Sequence, residues 1–213
     1  MPKVLLCAEG VTEFGRDGKD GVLQVLMRKC VASKELSFVV KTRGDVKDFR
    51  LFRKGINKTD RTAIAIAGMA QKESCRHIAY HHDEDNQGFD VMVAQVEAFF
   101  SVARKSGMKC VAIIPQHMTE SWLLADEKAF EKAFKKGTPK KSALPKWPER
   151  TGGKPGTDKY PKRHLELVLE QFNAESNAEI KAELADHVNI DVLVQKCPVS
   201  FGRFHSDMQD FIL

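Results

Sequence analysis

The chain has 213 residues, 42% of them hydrophobic and 30% charged, which suits one sizeable globular core with a helical appendage. No apolar run approaches the ~20 residues a membrane span needs, and the short apolar start, MPKVLLCAEG, ends in an acid too soon for a signal peptide. The formal net charge is +5, and the basic excess is concentrated in one segment, which points to a polyanionic partner.

Val4 to Ala8 is a continuous apolar run, the pattern of a strand buried on both faces. A loop with four glycines follows. A helical stripe then runs through Val22, Leu26 and Cys30, with Leu23 and Met27 beside it. Leu36 to Val40 reads as a second strand, and a helix capped by Thr59 or Asp60 runs through Ile64, Ala67 and Ala70. His77 to His82 reads as a third strand and ends in DEDNQG. Phe89, Val93, Val96, Phe100 and Ala103 define an amphipathic helix. Lys109 to Pro115 is a fourth strand, and a helix is expected to start at a Thr119 cap and continue through EKAFEKAF.

Strands alternating with helices predict an α/β fold with a mostly parallel four-stranded sheet flanked by helices. Residues 1–130 form that core. Residues 131–160 form a basic loop rich in proline and glycine, and 161–213 a helical C-terminal cap of the same domain. Two stripes mark the cap: Leu165, Val168/Leu169 and Phe172, then Phe201, Phe204, Met208 and Phe211. The five cysteines, Cys7, Cys30, Cys75, Cys110 and Cys197, are scattered and form no CxxC pair. That argues against a disulfide framework or a zinc cluster and fits a reducing cytoplasm.

In such sheets ligands bind outside the carboxyl ends of the strands. Glu9 follows the first strand, Asp83-Glu84-Asp85 the third, and Gln116, His117 and Glu120 the fourth. An isolated DxD is most often a solvated loop ahead of a helix. Carboxylates converging from separate strand ends repel one another, and a hard cation such as Mg2+ or Mn2+ relieves that repulsion. Such an ion polarises phosphoryl oxygens and activates water.

The placement of CAEG, with Glu9, and of HHDEDNQG, with Asp83 and Asp85, resembles the Toprim fold of topoisomerases, primases and overcoming-lysogenization-defect nucleases. More narrowly, the chain resembles uncharacterised bacterial Toprim-like proteins. It shares their EGxTE start (Glu9 to Glu13), an acidic-aromatic motif, ESWLLAD (Glu120 to Asp126), and a closing CPVSFGRF (Cys197 to Phe204). The resemblance implies that Glu9, Asp83 and Asp85 are catalytic and hold Mg2+ or Mn2+. Glu13, Glu120 and His82 are further candidate ligands. Glu120 reads equally as a first-turn acid favoured by the helix dipole. Trp122 reads as core. The only tyrosines, Tyr80 and Tyr160, include no obvious topoisomerase nucleophile, so strand passage is not expected.

Between Lys132 and Arg163 there are eleven lysines and arginines against two acids, Glu149 and Asp158. Lys140, Lys141, Lys146, Arg150, Lys154, Lys162 and Arg163 are expected to track a phosphate backbone while Trp147 stacks on a base. A plain solvated surface loop is the alternative. Gly15, Gly18 and Gly21 are not followed by GK[ST] and match no nucleotide fingerprint.

The expected function is a metal-dependent phosphodiesterase of nuclease type acting on DNA or RNA. Resemblance places it in phage defence or mobile-element conflict, with an ATPase as candidate partner. The alternatives are a non-catalytic nucleic-acid-binding or regulatory module, and a metal-dependent small-molecule phosphotransferase or phosphatase.

Overall fold

A computed structural model describes residues 1–8, 10, 13–15, 18–32, 35–50, 58–84, 87–135, 137–140, 144–150 and 152–212. Its element order is β1 (Lys3–Ala8), α1 (Val22–Cys30), β2 (Ser37–Thr42), α2 (Arg43–Arg50), α3 (Lys58–Lys72), β3 (His77–His81), α4 (Phe89–Lys105) and β4 (Lys109–Ile113). There follow α5 (Thr119–Leu123), α6 (Glu127–Phe134), a 3-10 turn (Pro148–Arg150), α7 (Pro161–Glu170), α8 (Ala178–His187), α9 (Ile190–Lys196) and α10 (Phe201–Ile212). The expected four-stranded sheet with flanking helices is present, and every strand pairing in it is parallel.

The strand order is β2-β1-β3-β4. The chain leaves β1 toward one edge and later builds outward from β3 toward the other, so the order reverses between β1 and β3. In open α/β sheets that reversal opens a crevice at the carboxyl ends of the two strands.

Alternation along β1 feeds two cores. Val4, Leu6 and Ala8 face α1 and the C-terminal helices, whereas Leu5 and Cys7 face α2, α3 and α4. Burial pushes the Cys7 thiol up to about 12, so it behaves as an apolar side chain at neutral pH. All five cysteines are free.

Two local features depart from expectation. Helix α2 starts directly at the end of β2, because Thr42 and Asp45 form a reciprocal cap. The Thr42 amide and hydroxyl donate to Asp45 Oδ2 at 2.6 and 2.7 Å, and the Asp45 amide donates to Thr42 Oγ1 at 3.3 Å. The helix expected to run on from Thr119 is instead two helices. Asp126 ends the first stretch and caps α6, its Oδ1 accepting the Lys128 amide at 3.0 Å.

The glycines before α1 serve close packing. A Cβ on Gly21 would lie 2.3 Å from the Phe14 carbonyl carbon, and Gln24 Oε1 ties the Gly15 and Gly21 amides together at 3.2 and 2.7 Å.

The basic segment, expected to be unpacked, is anchored by a buried acid. Glu149 accepts from the Ser200 amide (2.6 Å), the Ser200 hydroxyl (2.5 Å) and the Val199 amide (3.1 Å) at the start of α10. A carboxylate there satisfies donors that the helix itself cannot. Glu149→Gln is expected to cost roughly 1–3 kcal/mol. Limited proteolysis checks it: cleavage within residues 144–160 should speed up well before the whole chain melts.

Candidate functional site

The carboxyl end of β3 carries the described part of the acidic rim. His81 is buried, with its Nε2 3.0 Å from Thr119 Oγ1 and 3.4 Å from Asp83 Oδ1. The Asp83 side chain is 14% exposed, and its Oδ1 is buried without a hydrogen-bond partner. His82 is buried too; its amide donates to Ile113 O at 3.1 Å, and its Nδ1 lies 2.6 Å from Asp83 O. These contacts fix the backbone that presents Asp83.

Glu84, which its place in the acidic stretch alone did not mark out, is buried and accepts the His117 amide at 3.1 Å. His117 adopts a left-handed backbone, φ 67°, uncommon for a side-chain-bearing residue. Its ring lies against Gly152, where an added Cβ would sit 2.6 Å from His117 Cε1. The loop after β4 is thus held by Glu84 on one side and by the basic segment on the other. That contact brings the basic segment to the rim.

Within that segment, Trp147 is 44% exposed. The Lys146 ammonium and the Arg150 guanidinium lie 6.0 and 5.5 Å from its ring centroid. An aromatic face flanked by two cations can take a base and its phosphates. Lys140, Lys154 and Lys162 are exposed. Arg163 is engaged with Glu166 at 3.2 Å and Glu170 at 3.3 Å, so phosphate would have to compete for it.

Glu120 is the expected ligand whose surroundings differ most from a metal site. Lys181 Nζ donates to its Oε1 at 2.5 Å, and both side chains are buried. Two more polar positions of ESWLLAD, Trp122 and Asp126, are engaged as well, while the buried Ser121 hydroxyl makes no hydrogen bond among the described residues. Trp122 Nε1 donates to Ser200 Oγ at 2.7 Å, and Asp126 Oδ2 accepts the Asn189 amide at 2.8 Å. The Trp122 ring is fully buried, stacked on Phe204 and edge-on to Phe201. The motif therefore clamps the strand-bearing core to α8, α9 and α10. CPVSFGRF supplies the receiving end through Ser200, Phe201 and Phe204.

Glu13 is half-buried in the turn between β1 and α1. Glu9, Asp85 and Lys141 lie outside the described residues. Among the described residues no three acidic, histidine or cysteine side chains gather as a metal cage.

Fold and site together define an open parallel α/β protein with a carboxylate at its strand-order reversal and a basic segment beside it. Residues 58–209, more than two-thirds of the chain, match the family described as a domain of unknown function (DUF4276), and the chain belongs to that family. No curated protein and no solved structure matches it. Among the described residues no helix is long and apolar enough to cross a membrane.

Proposed function

We propose that this chain is a divalent-metal-dependent phosphodiesterase acting on nucleic acid in the cytoplasm. The observation that carries the reading is Asp83 Oδ1, a buried carboxylate oxygen with no hydrogen-bond partner beside the switch point of the sheet. An oxygen in that state fits a hard cation. Asp83, with Glu9 and Asp85, would hold Mg2+ or Mn2+, which when bound supplies charge neutralisation at the phosphate and an activated water. The chain's own part is positioning. Thr119 holds the His81 ring, whose Nε2 lies 3.4 Å from Asp83 Oδ1, and the segment around Lys146, Trp147 and Arg150 retains the polyanion. The likeness to Toprim nucleases supports the same reading and extends it to phage defence beside an ATPase.

A second reading, a regulatory module that binds nucleic acid and cuts nothing, is favoured by one observation. Lys181 already neutralises Glu120, which reduces the acids free for a metal.

Cleavage of labelled single- and double-stranded oligonucleotides in Mn2+ tests the choice. Wild type is expected to cut, and Asp83→Asn to lose activity by about a hundredfold or more, the scale of a lost preorganised electrostatic contact. Equal activity in both proteins would remove Asp83 from the chemistry, and binding without cleavage would establish the second reading.

A further inference from the structure

A cleft of about 890 Å3 opens on the α2–α3–α4 side of the sheet, at the carboxyl ends of β2 and β3. His82 lines it and contacts the Asp83 carbonyl, so the cleft begins next to the acidic rim. Its volume lies within the range of about 300–1,000 Å3 usual for small-ligand sites.

The chemistry of its walls is one-sided. Arg43 and Lys47, four residues apart on α2, share one helical face and both line the cleft. Gln87 and Gln95 add amides from the turn before α4 and from α4 itself. Among the described lining residues there is no carboxylate. The contrast within the same molecule is sharp. The groove along α8 is lined by Asp20, Glu179, Glu183 and Asp186 against a single lysine, Lys19. The small hollow on the other side of α2 mixes Asp45, Asp48 and Glu73 with Lys41 and Lys72. The cleft also contains an aromatic wall, where Tyr80 and Phe99 meet edge-on with centroids 5.7 Å apart.

Two cations on one side, an aromatic wall opposite and amides able to donate and accept match the three parts of a nucleotide. We infer that this cleft binds one unpaired nucleotide, its phosphate against Arg43 and Lys47 and its base against Phe99 and Tyr80. A duplex is too wide to enter, whereas an unpaired base enters without the cost of unstacking. The cleft shares its ligand class with the phosphodiesterase reading but needs no metal, so binding and cutting are separable.

The test is fluorescence anisotropy on the full chain with metal chelated. The probes are a short labelled single strand and its blunt duplex, with unlabelled nucleoside monophosphate as competitor. Lys47 and Ala94 are both exposed on helices, so Lys47→Ala and Ala94→Trp should fold, and thermal melts confirm it. Wild type is expected to prefer the single strand. Lys47→Ala should weaken binding about tenfold and lower the salt slope by about 0.7, the share of one phosphate contact. Ala94→Trp, which fills part of the same cleft, should weaken binding about tenfold with the slope unchanged. Competition by the monophosphate assigns the site to a free nucleotide; cleft-dependent strand binding without competition assigns it to a strand end. Single-strand binding that ignores both variants overturns the inference, as does a wild type that binds neither probe. If Mn2+-dependent cleavage survives while the variants change nothing, the cleft is wrong and the phosphodiesterase stands. If binding depends on the cleft and no cleavage occurs, the cleft stands and the phosphodiesterase is wrong.

Discussion

Saturating Mn2+ is expected to raise the melting temperature of the wild-type protein and to leave that of Asp83→Asn where it was. This follows from linkage: a ligand that binds only the folded chain stabilises it by about 2.7 kcal/mol at a hundred times its dissociation constant. For a chain of this length each kcal/mol moves the midpoint by roughly 2–4 °C, so the expected shift is about 5–10 °C. Asp83→Asn keeps the shape and removes the charge from a buried oxygen that makes no hydrogen bond, with His81 Nε2 3.4 Å away. It should therefore fold well in the absence of metal, and even melt slightly higher, because a buried anion is costly. Mg2+ should act in the same direction. An equal Mn2+ shift in both proteins would mean that the ion binds elsewhere.

The second large effect concerns Glu120 and Lys181. Removing one partner of a buried pair strands the other charge, at a cost of about 3–5 kcal/mol. Lys181→Met should thus lower the melting temperature by roughly ten degrees. The double variant Glu120→Leu with Lys181→Met should recover most of that, since a packed apolar pair often equals or exceeds a buried salt bridge in stability. Thermal denaturation of the two singles and the double completes the cycle. The same proteins decide the role of Glu120 at the rim. A double variant that refolds well and keeps the Mn2+ shift makes Glu120 a structural acid. Loss of the shift in Glu120→Gln alone would return it to the metal.

That pair also explains which parts of the molecule could be read in advance. The four strands were legible because each is a short apolar run beside turn residues, as in Val4 to Ala8 and His77 to His81. The long stripe of α4 was legible for the same reason. Helix α8 was not singled out, since Lys181 occupies a position on its buried stripe and hides the period. Its partner acid is 61 residues away. Helix α2 was missed although its signal, Thr42 three residues ahead of Asp45, stood in the chain; the segment is too polar to show a stripe. At the site, Asp83 was singled out for its place after a strand and His82 for directly preceding the DxD. Glu84 and His117 were placed on the same rim, but the bond between them, which joins two loops 33 residues apart, could not be read. ESWLLAD looked like chemistry because buried clamps and active sites use the same residue types. The difference lies in what each side chain meets.

The position of β1 has a consequence for how the chain is made. It precedes the other three strands of its sheet in the chain, yet it ends in the interior of that sheet, flanked by β2 and β3. One of its edges stays unpaired until residues 77–81 emerge, and the face of Val4 and Leu6, covered in part by α1, is completed only when the C-terminal helices arrive. A growing chain therefore carries an unpaired strand edge over roughly the first third of this sequence, a state in which exposed edges and apolar surface favour aggregation.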